Sequence, residues 1–195
     1  MIKILCFSVL CITVTSLSAL GQKKDDTYSQ MLDYSRPNGH HQVLGLITGK
    51  WAFQDAERPF VKGTIVRRSI YDGRFYQVEM IGGKLPLPVA DGKMKEDNYQ
   101  SLQIEGYDNG KGKYVATSIN NHIGSDIEMQ VGAYDSTLKT ITYSWEEELI
   151  RGDKKNNRRV LKLVDNNRYT EEYYEEKAGQ FVKVRELIFT KLNEN

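Results

Sequence analysis

The side chains able to carry chemistry are few. His40 and His41 are adjacent, so on an extended segment they point apart, and His122 stands alone near a turn. No His-x-x-x-His or comparable spacing occurs, so no metal site is expected. A haem held by a histidine on a late strand is equally unexpected, because no histidine follows His122. Gly-x-Ser-x-Gly is absent, and the two cysteines, Cys6 and Cys11, lie in an N-terminal apolar stretch. Glu146-Glu147-Glu148, Glu171-Glu172 and Glu175-Glu176 could hide a carboxylate pair for acid–base work. On a strand neighbours face opposite ways, so each doublet sends at most one carboxylate inward, and a solvated face is the plainer expectation. Arg151-Gly152-Asp153 matches an adhesion tripeptide, but three residues in a charged loop arise readily by chance. No catalytic residue and no cofactor are assigned.

What remains is a set of alternating side chains that could line a pocket. Tyr76, Val78 and Met80 share one face of a strand, as do Tyr114, Ala116, Ser118 and Asn120, with His122 just beyond. Opposite them, Ile127, Met129 and Val131 are expected to face inward, together with Ile141, Tyr143 and Trp145. Val115, Thr117 and Ile119 leave the opposite parity open for the strand that carries Ser118. Such a pocket is mostly apolar with a few hydroxyl and amide groups, the usual lining of a small-molecule site. The expected ligand-binding residues are Tyr76, Met80, Ser118, Asn120, His122, Met129, Tyr143 and Trp145.

The elements that would position them are strands. After Gly49, segments rich in Val, Ile, Thr, Tyr and Phe recur between turn signals, about ten in all. They span 50–55, 62–71, 74–82, 99–107, 113–121, 125–134, 138–146, 157–164, 167–176 and 180–191. Asp72-Gly73, Asp108-Asn109-Gly110 and Asp165-Asn166-Asn167 supply tight turns. Sequential strands joined this way predict an antiparallel meander that closes into an up-and-down barrel. His41, Leu44 and Ile47 give helical spacing over 41–47, ahead of Gly49. Two connections, 82–98 and 146–157, are too long for tight turns. The first contains Leu85, Leu87, Val89 and Met94, with Pro86 and Pro88 stiffening its middle. Its apolar residues are expected to dock on the barrel mouth as a lid, with Leu85, Leu87 and Val89 as the lid residues.

Lys3, an apolar run from Ile4 to Val14, and Ser16-Leu17-Ser18-Ala19-Leu20-Gly21 make residues 1–21 a signal peptide cut before Gln22. The apolar run, roughly 11 residues, falls short of the ~20 needed to span a bilayer. Cleavage removes both cysteines, and no stable membrane anchor remains. The expected location is the periplasm or the extracellular space. Residues 22–39 read as a flexible tail, and 40–195 as the folded domain. The 27 Lys and Arg nearly cancel 26 Asp and Glu, giving a formal charge of +1, so a nucleic-acid partner is not expected. With 12 Tyr, 6 Phe and 2 Trp, disorder is excluded.

His41-x-x-Leu44-x-x-Ile47-x-Gly49-x-Trp51, a short helix running into Gly-x-Trp, resembles the entrance of the calycin barrels, the lipocalins and fatty-acid-binding proteins. Gly63, Asp72-Gly73-Arg74-Phe75, Gly106-Tyr107-Asp108, Lys113-Tyr114-Val115, Gly132-Ala133-Tyr134-Asp135 and Glu186-Leu187-Ile188-Phe189-Thr190-Lys191 follow in order. That succession, covering about 40–192, resembles a bacterial secreted family of unknown function, number fifteen seventy-nine among such domains. The resemblance implies a lipocalin-like barrel and brings no activity with it. Lys191 stands where that family favours Arg, and Ser118 where a bulky aromatic is frequent, which makes room in the lumen. Trp51 can plug the barrel floor, with Arg185 or Lys191 over its indole. The functional expectation is a carrier for a small apolar or amphipathic molecule. The alternatives are an envelope isomerase or hydrolase using the same cavity, or an interaction module whose lumen is filled.

Overall fold

A computed structural model describes residues 26–193. The expected signal peptide and its cleavage point lie outside these residues. The chain divides into two units at Arg36–Pro37. In the first, residues 26–34 form a helix (α1) with Tyr28, Met31, Leu32 and Tyr34 exposed. The expected flexible tail over 22–39 therefore contains a helical turn sequence, closed where Pro37 forbids continuation.

The second unit is a closed barrel of ten antiparallel strands, each paired with its sequence neighbours and the last with the first. The strands are β1 (Gly49–Asp55), β2 (Lys62–Ile70), β3 (Phe75–Pro88), β4 (Met94–Asp108), β5 (Lys113–Asn120), β6 (Glu128–Asp135), β7 (Thr140–Ile150), β8 (Asp153–Asp165), β9 (Arg168–Lys177) and β10 (Gln180–Lys191). Within the barrel wall every strand is paired on both sides, as the meander pattern predicts.

A seven-residue helix, α2 (Gly39–Gly45), precedes β1. Asn38 caps it: its side chain accepts from the His40 N–H at 2.9 Å, while His41 Nδ1 accepts from the Asn38 N–H at 3.1 Å. This reciprocal arrangement is a capping box with histidine in the third position. The helix is tied to the barrel by two tyrosines. Tyr76 donates to the His41 carbonyl at 2.9 Å and Tyr114 to the His40 carbonyl at 3.0 Å. Leu44, Ile47 and Trp51 join Ile65, Ile141, Leu161, Tyr169 and Phe189 in one buried cluster. Gly49 takes φ +111°, a conformation that costs little only for glycine, and so turns the chain into β1.

The two connections expected to be long loops are β-ribbons. β3 continues to Pro88 and pairs with β4 as far as Pro88 opposite Met94, across a register shift between Ile81 and Lys84. β2 leaves β3 at Gly82, so Pro86 and Pro88 fall where β3 has no second neighbour and their missing N–H groups disturb no ladder on that side. Similarly, β7 and β8 pair down to Ile150 opposite Asp153, and the turn is made by Gly152 at φ +85°.

Candidate functional site

Strand parity sends four charged side chains into the lumen: Arg67 from β2, Glu105 from β4, Arg159 from β8 and Glu171 from β9, each at most 2% exposed. They form a ring of alternating sign. Arg67 pairs with Glu105 and, at 3.1 Å, with Glu171. Arg159 closes it, 3.2 Å from Glu105 and 3.6 Å from Glu171. Neutral groups complete the shell: Arg67 donates to Tyr169 Oη at 3.3 Å, Arg159 to Gln103 Oε1 at 3.3 Å, and Tyr173 Oη to Glu171 at 2.7 Å. The Arg159 guanidinium also lies 4.6 Å from the Tyr143 ring centre. Burial opposes every one of these charges, and the partners decide the outcome. Burial pushes the Glu105 carboxyl up, but Arg67 and Arg159 more than reverse this and hold it below the ordinary range. Burial likewise disfavours charged Arg67 and Arg159, which their carboxylates reverse. Burial drives the Tyr143 and Tyr173 phenols up, so both stay neutral.

Around and below the ring the lumen is packed. Trp51 is fully buried, donates to the Ile47 carbonyl at 3.0 Å, and meets the Tyr169 ring edge-on at 4.8 Å. Tyr169 stacks on Phe189 at 4.2 Å. On the other side lies a cavity of about 540 Å³. Arg159, Gln103 and Gln130 reach its inner end, Phe53, Met80 and Leu187 give it apolar wall, and Tyr99, Trp145 and Tyr173 give it aromatic wall. Several buried polar atoms have no hydrogen-bond partner among the described residues: Gln130 Oε1, Trp145 Nε1, Arg159 Nε, Ser101 Oγ and Tyr143 Oη. Three of them belong to side chains that line the cavity. Leaving a buried donor or acceptor unmade costs about 1–3 kcal/mol, so such groups are usually answered by water or a ligand.

A family model described as a protein of unknown function, DUF1579, matches residues 36–191. The chain belongs to this family. No curated protein matches it.

In this DUF1579 barrel, the sequence-predicted residues divide. Met80, Ser118, Asn120, His122 and Trp145 line the cavity. Tyr143 faces the lumen beneath Arg159 without reaching the cavity wall, and Tyr76 serves the α2 end instead. Met129 points the wrong way: it is 62% exposed, and Ile127 and Val131 are exposed with it. Directly opposed residues of an antiparallel pair share a face, so Gln130 opposite the inward Ala116 must face in, and Met129 opposite Thr117 must face out. Gly132 is inward too, and its missing side chain admits the Tyr143 ring, which a Cβ there would meet at 2.8 Å.

Of the expected lid, Leu85 lines the cavity, Leu87 is buried, and Val89 is exposed at the ribbon tip. At the floor, Lys191 Nζ lies 5.3 Å from the Trp51 ring, as expected of one candidate. Arg185 does not: it shares a face with Lys191 but lies six residues earlier on β10, which puts it at the cavity, 4.3 Å over Tyr173. The charged ring was missed altogether. Its signal was present, since Arg67, Glu105, Arg159 and Glu171 each sit two residues from an inward-facing side chain. Glu171 is the inward member of its doublet and Glu172 the outward one.

Proposed function

We propose that the protein is an exported, non-enzymatic carrier whose barrel holds a small amphipathic molecule. One observation carries this reading: the cavity is of ligand size and combines apolar wall with buried, unpartnered polar atoms. Sequence reasoning favoured a largely apolar ligand. With Gln130 and Glu128 inward in place of Met129, the ligand must instead bring polar groups to the inner end. The ring supports the carrier reading over the enzymatic one. Glu105 and Glu171 are committed to two arginines, and Tyr173 to Glu171, which leaves none of them free to exchange protons with a substrate.

Native mass spectrometry of the protein isolated from its own host, followed by solvent extraction, tests the reading. A bound small molecule released on denaturation is expected. A bare protein mass with nothing extractable contradicts it.

A further inference from the structure

One wall of the cavity is rich in acceptors. Glu128 and Gln130 project from β6, and Trp145 and Glu147 from β7. The β6–β7 ladder ends with Val131 opposite Ser144, and continuing that register sets Gln130 beside Trp145 and Glu128 beside Glu147. Gln130 Nε2 donates to Glu128, and Asn157 Nδ2 lies 3.4 Å from Glu147 Oε2. Neither carboxylate makes an ion pair among the described residues. Gln130 is only 3% exposed and its Oε1 has no partner.

The arginines elsewhere on the wall make no ion pair with these carboxylates, although the Arg159 charge favours ionised Glu128 from a distance. Arg58 is held by Asp55 at 2.7 Å. Arg159 is held by Glu105 and Glu171. Arg185 is exposed, stacked on Tyr173, and solvated. An exposed guanidinium needs no partner, whereas a carboxylate drawn out of water does. Burial pushes the Glu128 carboxyl up, the Gln130 hydrogen bond and the Arg159 charge pull it down, and the neighbouring Glu147 and Asp126 push it up again, so the net shift is upward. The wall thus offers several acceptors, two carboxylates outside any ion pair among the described residues, and an indole beside them.

We propose that the β6–β7 wall is a subsite for the ammonium group of an organic amine, whose apolar body lies along Phe53, Met80 and Leu187. The three N–H donors of a primary ammonium match Gln130 Oε1, Glu128 and Glu147, and the Trp145 face is an additional partner for a cation. This assignment rests on the carrier reading above and narrows its ligand to one class.

Calorimetric titration at pH 7 with octylamine, octanoate and 1-octanol tests it, because the three share a chain and differ in head group. Octylamine is expected to bind about tenfold or more tighter than the other two, as a charge-assisted contact warrants. In Glu128→Gln/Glu147→Gln that preference disappears, while an unchanged circular dichroism spectrum and cooperative urea unfolding show that the variant is folded. Octanoate or 1-octanol binding as tightly as octylamine, or a preference that survives the double substitution, overturns the amine assignment and leaves the carrier reading standing. Failure of all three to bind overturns both.

Discussion

Replacing Glu105 with glutamine changes few atoms but removes one charge from the buried ring. Arg67 and Arg159 would then share Glu171 alone, leaving an uncompensated positive charge where both guanidiniums are 1% exposed. Breaking a buried pair by deleting one partner costs about 3–5 kcal/mol. For a domain of this size each kcal/mol moves the melting temperature by roughly 2–4 °C, so the expected fall is about 6–20 °C. The assay is thermal and urea unfolding at pH 7. A second substitution, Arg67→Met, restores neutrality, and the double variant is expected to recover about 1 kcal/mol or more of the loss. The pH dependence has a definite sign. Glu105 is held below the ordinary carboxylate range in the folded state, so its contribution is complete above the unfolded value of about 4.3 and is lost as pH falls toward the folded one. Glu105→Gln should therefore flatten acid destabilisation below about pH 4. A loss under about 1 kcal/mol at pH 7, with an unchanged acid limb, would refute the buried-ring account.

The remaining expectations concern packing, parity and the acceptor wall. Gly63→Ala would put a Cβ 2.1 Å from the Ile81 carbonyl oxygen and 2.7 Å from Gly82 Cα, both backbone atoms that cannot swing aside. Urea unfolding should show a loss of about 1–3 kcal/mol, and a silent substitution would mean that β2 and β3 do not approach so closely. Met129→Lys should leave stability within about 0.5 kcal/mol, because that side chain faces solvent; a loss of core size would restore the inward reading. Glu128→Gln should stabilise the ligand-free protein by about 0.5–1 kcal/mol at pH 7. The folded state holds that proton more tightly than the unfolded one, so ionisation costs stability as pH rises past about 4.3. The gain should vanish near pH 3, and a substitution that destabilises at pH 7 would contradict the account.

The barrel was legible because its signals are local. Ten Val-, Ile- and Tyr-rich segments separated by Asp, Asn and Gly turns appear as ten strands, and Gly49-x-Trp51 marks the entry to β1 as the sequence suggests. Side-chain parity on β3 and β7 was legible for the same reason, whereas on β5 Val115, Thr117 and Ile119 left it open. On β6 it was not, because Ile127, Met129 and Val131 satisfy an apolar alternation that pairing with β5 turns outward. Hydrophobicity alone names the core face only when the other face is polar, and here the inward face is the polar one. The ring escaped notice because each member is unremarkable on its own strand. Arg67 and Glu171 are 104 residues apart in sequence, and only barrel closure brings them together. Arg185 was misplaced along the barrel axis: the period of two turns it inward with Lys191, but six residues of β10 carry it from the floor to the cavity.

The most direct test of a ligand-holding cavity uses the two indole N–H groups. The Trp51 N–H is committed to the Ile47 carbonyl beneath the ring, while the Trp145 N–H has no partner and its side chain lines the cavity. In a ¹H–¹⁵N correlation spectrum, with Trp145→Phe used for assignment, titration with octylamine should shift the Trp145 indole signal saturably and leave the Trp51 signal in place. A Trp145 signal that stays fixed throughout the titration would contradict the account.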